Sequence, residues 1–130
     1  MIGPGCGTNA CRACRTLFAA GQSSQKIFPA LAKSHIDQVS LECRNSRVPA
    51  QLMKLLDGKD VQVGVIDVAS DTIETPEDVA AVIGEAMKYV AKDKIIASTN
   101  CGMAPMRRDI AVAKLQALGA GAELARKRFG

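Results

Sequence analysis

From Ser23 onward the chain switches between two apolar periods, about 2 and about 3.6 residues, across short polar connections, the pattern of β/α units around a parallel sheet. Three apolar runs predict buried strands at residues 37–42, 61–67 and 94–98. Helices are expected between them. The first is capped by Ser23 or Ser24 and runs to about Lys33 with Pro29 inside it. A second begins at Pro49, carries Leu52, Leu55 and Leu56, and stops at Gly58. The third has the strongest signal: Thr75 caps it, Pro76 takes the first helical position, and Glu77 and Asp78 favour the positive end of its dipole. Val79, Val82, Ile83, Ala86, Met87 and Val90 then recur on one helical face. An Ala-rich helix from about Arg107 to Arg126 closes the pattern; Gly119 and Gly121 either weaken it or permit close packing against a strand.

Residues 1–22 do not share this alternation. They are Gly- and Cys-rich and contain Pro4, so the chain divides into an irregular segment, 1–22, and a β/α region, 23–130. With 130 residues, 48% hydrophobic and 23% charged, it is expected to hold at most one globular domain. A complete (β/α)₈ barrel takes roughly 250 residues, so a barrel reading obliges the chain to be a fragment of one or to associate.

Composition narrows the function classes. Aromatic residues make up 3% of the chain and Trp is absent, which removes the stacking surface that single-stranded nucleic-acid binders use. The net charge is only +4, and Arg126, Lys127 and Arg128 suit the negative end of the last helix, so a nucleic-acid partner is not expected. No apolar run reaches the roughly 18 residues of a membrane span, and no leader pattern opens the chain, so a cytoplasmic protein is expected. Five cysteines in such a chain read as reduced thiols or metal ligands.

Each expected strand ends in polar residues: Glu42 and Cys43 after the first, Asp67 and Ser70 after the second, Asn100, Cys101 and Gly102 after the third. In parallel α/β folds ligands bind outside the carboxyl ends of the strands, because helices cover the remaining surfaces. Zinc accepts carboxylate oxygen and cysteine sulfur, which makes Glu42 and Cys101 candidate ligands. The bland alternative is a solvent-facing strand end and a small buried hydrophobe.

The stretches Val39-Ser-Leu-Glu-Cys-Arg-Asn-Ser46, Gly64-Val-Ile-Asp-Val-Ala-Ser70, Glu74-Thr-Pro-Glu-Asp-Val79 and Thr99-Asn-Cys-Gly-Met103 resemble, in order and spacing, the closing segments of cobalamin-independent methionine synthases. The resemblance covers about residues 25–128. It implies a catalytic zinc held by a His-x-Cys pair, a Glu matched here by Glu42, and a late Cys matched here by Cys101. It further implies activation of a homocysteine-type thiol for methyl transfer from a methylated folate or another carrier. At the same rim Asp67 is a catalytic candidate, and Asn100 and Ser70 are candidates to line the substrate pocket.

The chain departs from that pattern in three ways. It has no His-x-Cys, and its single histidine, His35, precedes the Glu42 strand and reads as an exposed side chain. Where the family often carries Asp-x-His-Ser, this chain has Asp67-Val-Ala-Ser70. The strands that would precede Glu42 are missing, so a lone chain is expected to be inactive and to cover its apolar strand edges with a second polypeptide or by self-association.

Cys6, Cys11, Cys14 and Cys43 offer a second reading. Their Cys-x4-Cys-x2-Cys spacing, with the fourth thiol further on, resembles the ligation of a [2Fe–2S] cluster in plant-type ferredoxins and would make an electron-transfer or metal-binding module. The β/α alternation that follows does not match the mainly β frame of such proteins. A non-catalytic remnant or structural subunit is the third reading.

Overall fold

The computed structural model describes residues 21–45 and 49–130, the side chains of residues 21–25 excepted. Helix α1 (Gly21–Lys33) leads into strand β1 (Gln38–Glu42), followed by a 3₁₀ helix (Ala50–Leu56) and β2 (Asp60–Ile66). Helix α2 (Pro76–Ala86), a short 3₁₀ turn (Lys92–Lys94), β3 (Ile95–Thr99) and α3 (Arg108–Phe129) complete the order. The strands form one parallel sheet in the order β1-β2-β3.

The two faces of this sheet differ sharply. On one, Val39 and Leu41 of β1 and Val61 and Val63 of β2 join Phe28, Leu56, Val79 and Ile83 in the buried core, each side chain contributing roughly 1.5–3 kcal/mol by leaving water. The opposite face carries the alternate residues. In register across it stand Ser40, Gln62 and Ile96, then Glu42, Gly64 and Ser98. Here Gln62 Nε2 donates to Gln38 Oε1 at 2.6 Å, and the apolar Ile96 is exposed.

A register shift between Gly64 and Ile66 ends the regular pairing of β2 with β3. The shift explains why burial stops alternating at Val63–Ile66, where four consecutive residues are buried.

The helices form where the sequence signals placed them, with local differences. Helix α1 begins at Gly21, so Ser23 and Ser24 lie inside it and do not cap it. The segment after Pro49 is 3₁₀ and not α, so its buried residues are Met53 and Leu56, three apart as that helix requires, while Leu55 is exposed. Gly58 adopts φ +80° and reverses the chain into β2.

Thr75 and Asp78 form a reciprocal capping box at the start of α2. In α3, Gly121 does admit close packing, but against α2: a Cβ there would lie 2.3 Å from Val79 Cβ, whereas one at Gly119 would meet nothing within 4 Å. No helix among the described residues is long and apolar enough to cross a membrane.

Candidate metal and substrate site at the sheet rim

Because the strands are parallel, Glu42, Asp67 and Asn100-Cys101 emerge at the same carboxyl rim, Glu42 at the end of β1 and Cys101 two residues past β3, with β2 between them. Both Glu42 and Cys101 are half-buried. Gly64 separates the two outer strands in the row that holds Glu42. A Cβ on Gly64 would lie 2.5 Å from Asn100 Oδ1 and 2.8 Å from the Leu41 carbonyl oxygen, so only glycine lets the Asn100 side chain settle over β2.

Hydrogen bonds tie the three rim loops together. The Asn100 N–H donates to the Ile66 carbonyl at 2.9 Å, and its Nδ2 donates to the Arg44 carbonyl at 2.9 Å. The amide nitrogen is thus fixed, which turns Asn100 Oδ1 inward, buried and without a hydrogen-bond partner. An unsatisfied buried acceptor costs about 1–3 kcal/mol, an expense consistent with a donor arriving from a ligand. Asn45 takes the left-handed conformation, φ 54°, that short polar side chains tolerate, and its Nδ2 donates to Asp67 Oδ2 at 2.8 Å.

Asp67 also accepts from the Ala69 N–H at 2.8 Å. Partial burial works to raise its pKa, but the Ala69 and Asn45 hydrogen bonds and the charges of Lys114 and Arg44 outweigh burial and hold the carboxyl below its ordinary value. Asp67 is therefore an anchored anion, a poor proton donor near neutral pH. Ser70 Oγ accepts from the Thr72 N–H at 3.1 Å. Between the loops after β1 and β2 lies a polar cavity of about 220 Å³, whose walls include Arg44, Asn45, Asp67, Ser70 and Asp78.

The donor set fits zinc in part. A carboxylate and a cysteine thiolate are zinc donors, but Cys101 is disulfide-bonded here and could bind a metal only once reduced; a catalytic zinc has three protein ligands, and no group of three or more His, Cys, Asp or Glu among the described residues could hold a metal ion. His35 is exposed ahead of β1 and is not at this rim. Of the second cysteine set, Cys6, Cys11 and Cys14 lie outside the described residues. Cys43 Sγ approaches the Leu41 carbonyl at 3.6 Å, and burial pushes its pKa up to about 11 against the smaller lowering effect of a Gly64 backbone hydrogen bond. Without a metal it therefore stays a protonated thiol near neutral pH.

Sequence reasoning missed a buried ion pair behind this rim. Lys114 of α3 is fully buried, and its Nζ lies 2.9 Å from Glu74 Oε2. The signal was present: Lys114, Ala117, Gly121 and Ala125 share the buried stripe of α3, and a lysine on an apolar face demands a partner.

Parallel β/α units with a polar carboxyl rim define an α/β segment of the barrel type. Comparison with known proteins goes further. Residues 16–124 match the family described as cobalamin-independent synthase, catalytic domain. Methionine synthase of Sulfurisphaera tokodaii is 35% identical over 102 residues, covering 78% of this chain and 30% of that protein. The methionine synthase of Thermococcus kodakarensis is 30% identical over 95 residues, 72% of this chain and 28% of its own length.

The structure of a B12-independent methionine synthase from Shewanella sp. W3-18-1, in complex with selenomethionine, superposes with TM-score 0.81 at 49% identity, covering 90% of this chain and 34% of that one. The chain belongs to the cobalamin-independent methionine synthase family and corresponds to part of its catalytic domain, spanning about a third of the length of the relatives it matches.

Proposed function

We propose that this chain forms the carboxy-terminal β/α units of a methionine-synthase-type methyltransferase, in which Glu42 and Cys101 are two ligands of a zinc ion. Asp67 and Ser70 line a cavity at the same rim, and Asn100 stands beside the sheet end there. The observation that carries this reading is the emergence of a carboxylate and a cysteine from separate β/α units at one rim of a parallel sheet. When bound, zinc lowers the pKa of a coordinated thiol so that a thiolate exists near neutral pH.

The chain's own residues do the rest. Gly64 leaves the room that the Asn100 side chain takes over β2, and Asn100, held by Arg44, offers its unpartnered oxygen to a donor on the substrate. Asp67, anchored by Ala69 and Asn45, supplies a fixed negative charge at the mouth. The acceptor is a thiol of the homocysteine type, and the donor a methylated folate or another methyl carrier. The selenomethionine held by the Shewanella relative supports an amino-acid ligand of this kind. Two donors fall short of a catalytic zinc site, so full affinity requires ligands from outside the described residues.

Zinc content and zinc-dependent melting of the reduced protein test the reading. Bound zinc that raises the melting temperature, and is weakened in Glu42→Ala, supports it. Zinc-free protein whose stability ignores added zinc would refute it.

A further inference from the structure

We infer that Lys114 is a positioning residue for the site: acting through Glu74, it sets the loop 67–75 so that Asp67 meets the loop following β1. Lys114 sits on α3, outside the sheet, and is 0% exposed; Glu74, in the loop between β2 and α2, is 6% exposed. The Lys114 ammonium donates to Glu74 Oε2 at 2.9 Å and to the Thr72 carbonyl. The other oxygen of the same carboxylate, Glu74 Oε1, accepts the Asp67 backbone N–H at 2.8 Å.

That amide is the first after β2, so Glu74 fixes the chain at the point where it leaves the sheet. The Asp67 side chain continues the series by accepting from Asn45 at 2.8 Å. One run of contacts, Lys114 to Glu74 to Asp67 to Asn45, therefore crosses from the helix of the third β/α unit through the second to the rim of the first. It frames the cavity of about 220 Å³ lined by Asp67, Ser70 and Glu74.

A buried lysine that merely filled space would need only carbonyl partners, and the molecule contains such a residue. Lys59, 9% exposed, donates to the carbonyls of Ser34, at 2.9 Å, and Ile36, in the connection between α1 and β1, and touches no group of the rim. Lys114 differs in gripping a carboxylate whose second oxygen holds the rim backbone. Its charge also acts on the Asp67 carboxyl.

The inference takes from the proposed function only that Asp67 lines the site. Its test is the titration of the Asp67 side-chain carboxyl, followed by carbon-13 NMR in zinc-free protein, for the wild type, Lys114→Met, the double variant Lys114→Met with Glu74→Gln, and Lys59→Met. Loss of Lys114 is expected to shift the Asp67 midpoint upward and to speed exchange of the Asp67 backbone amide by about tenfold.

The double variant leaves no unpaired buried charge, so it keeps the fold should Lys114→Met alone fail to fold, and it must show the same upward shift. Lys59→Met is expected to lower stability without moving the titration. An unchanged Asp67 midpoint and unchanged Asn45 side-chain resonances in the double variant would overturn the inference, leaving Lys114 a core-filling residue. Because zinc is absent from this experiment, that result would not touch the metal reading, which the zinc measurements decide separately.

Discussion

The two faces of the β1-β2-β3 sheet divide the work of the molecule. The face beneath the helices is packed with Val39, Leu41, Val61 and Val63, all at most 7% exposed, and it fixes the register of three strands. The opposite face bears Gln38, Ser40, Glu42, Gln62 and Ser98, polar side chains that the core does not use. A sheet built this way anchors its chemistry on backbone held from behind, so substitutions on the two faces should have separable consequences.

The strongest challenge to that division is Lys114→Met, since Lys114 supports the rim from the buried side. Removing it strands the Glu74 carboxylate in a site only 6% exposed, and a loss of about 3–5 kcal/mol is expected in urea unfolding. Neighbouring residues on β1 give the cleanest contrast. Leu41→Ala should cost about 2–5 kcal/mol, whereas Ser40→Ala, on the opposite face, should change stability by less than about 0.5 kcal/mol. Equal costs would contradict the division of roles.

Helix α3 permits a similar pairing at smaller scale. Gly121→Ala drives a methyl group into Val79 and is expected to cost about 1–3 kcal/mol. Gly119→Ala meets nothing within 4 Å and should stabilise the helix by about 0.5–1 kcal/mol. Thermal melts of the two variants, shifted in opposite directions, would sharpen the account.

Cys43 adds a pH dependence. Its folded pKa of about 11 stands above the ordinary 9.0, so the buried thiol contributes stability that is fully present below pH 9.0 and is lost as pH rises toward 11. Cys43→Ala should flatten that part of the stability profile.

Much of this was legible in the amino-acid sequence because the signals were local. Thr75-Pro76-Glu77-Asp78 specified the start of α2, and the β-branched run at residues 61–66 specified the central strand. The placement of Glu42, Asp67 and Cys101 at one rim followed from parallel topology alone.

The remainder depended on contacts distant in sequence. Nothing near Pro49 distinguishes a 3₁₀ turn from an α-helix, since packing of Met53 and Leu56 decides it. Gly121 meets a helix and not a strand because α3 crosses α2. The Lys114–Glu74 pair spans 40 residues, so neither partner announces the other. Gly64 is likewise understood only once Asn100 is seen above it.

The central claim is that Glu42 and Cys101 serve one metal ion. Cobalt substitution under reducing conditions tests it most directly, because a bound thiolate gives cobalt a near-ultraviolet charge-transfer band. The account predicts that this band appears in the wild type, disappears in Cys101→Ser, weakens in Glu42→Gln and is unaffected by Cys43→Ala. A band that persists unchanged in both the Cys101 and Glu42 variants would contradict it.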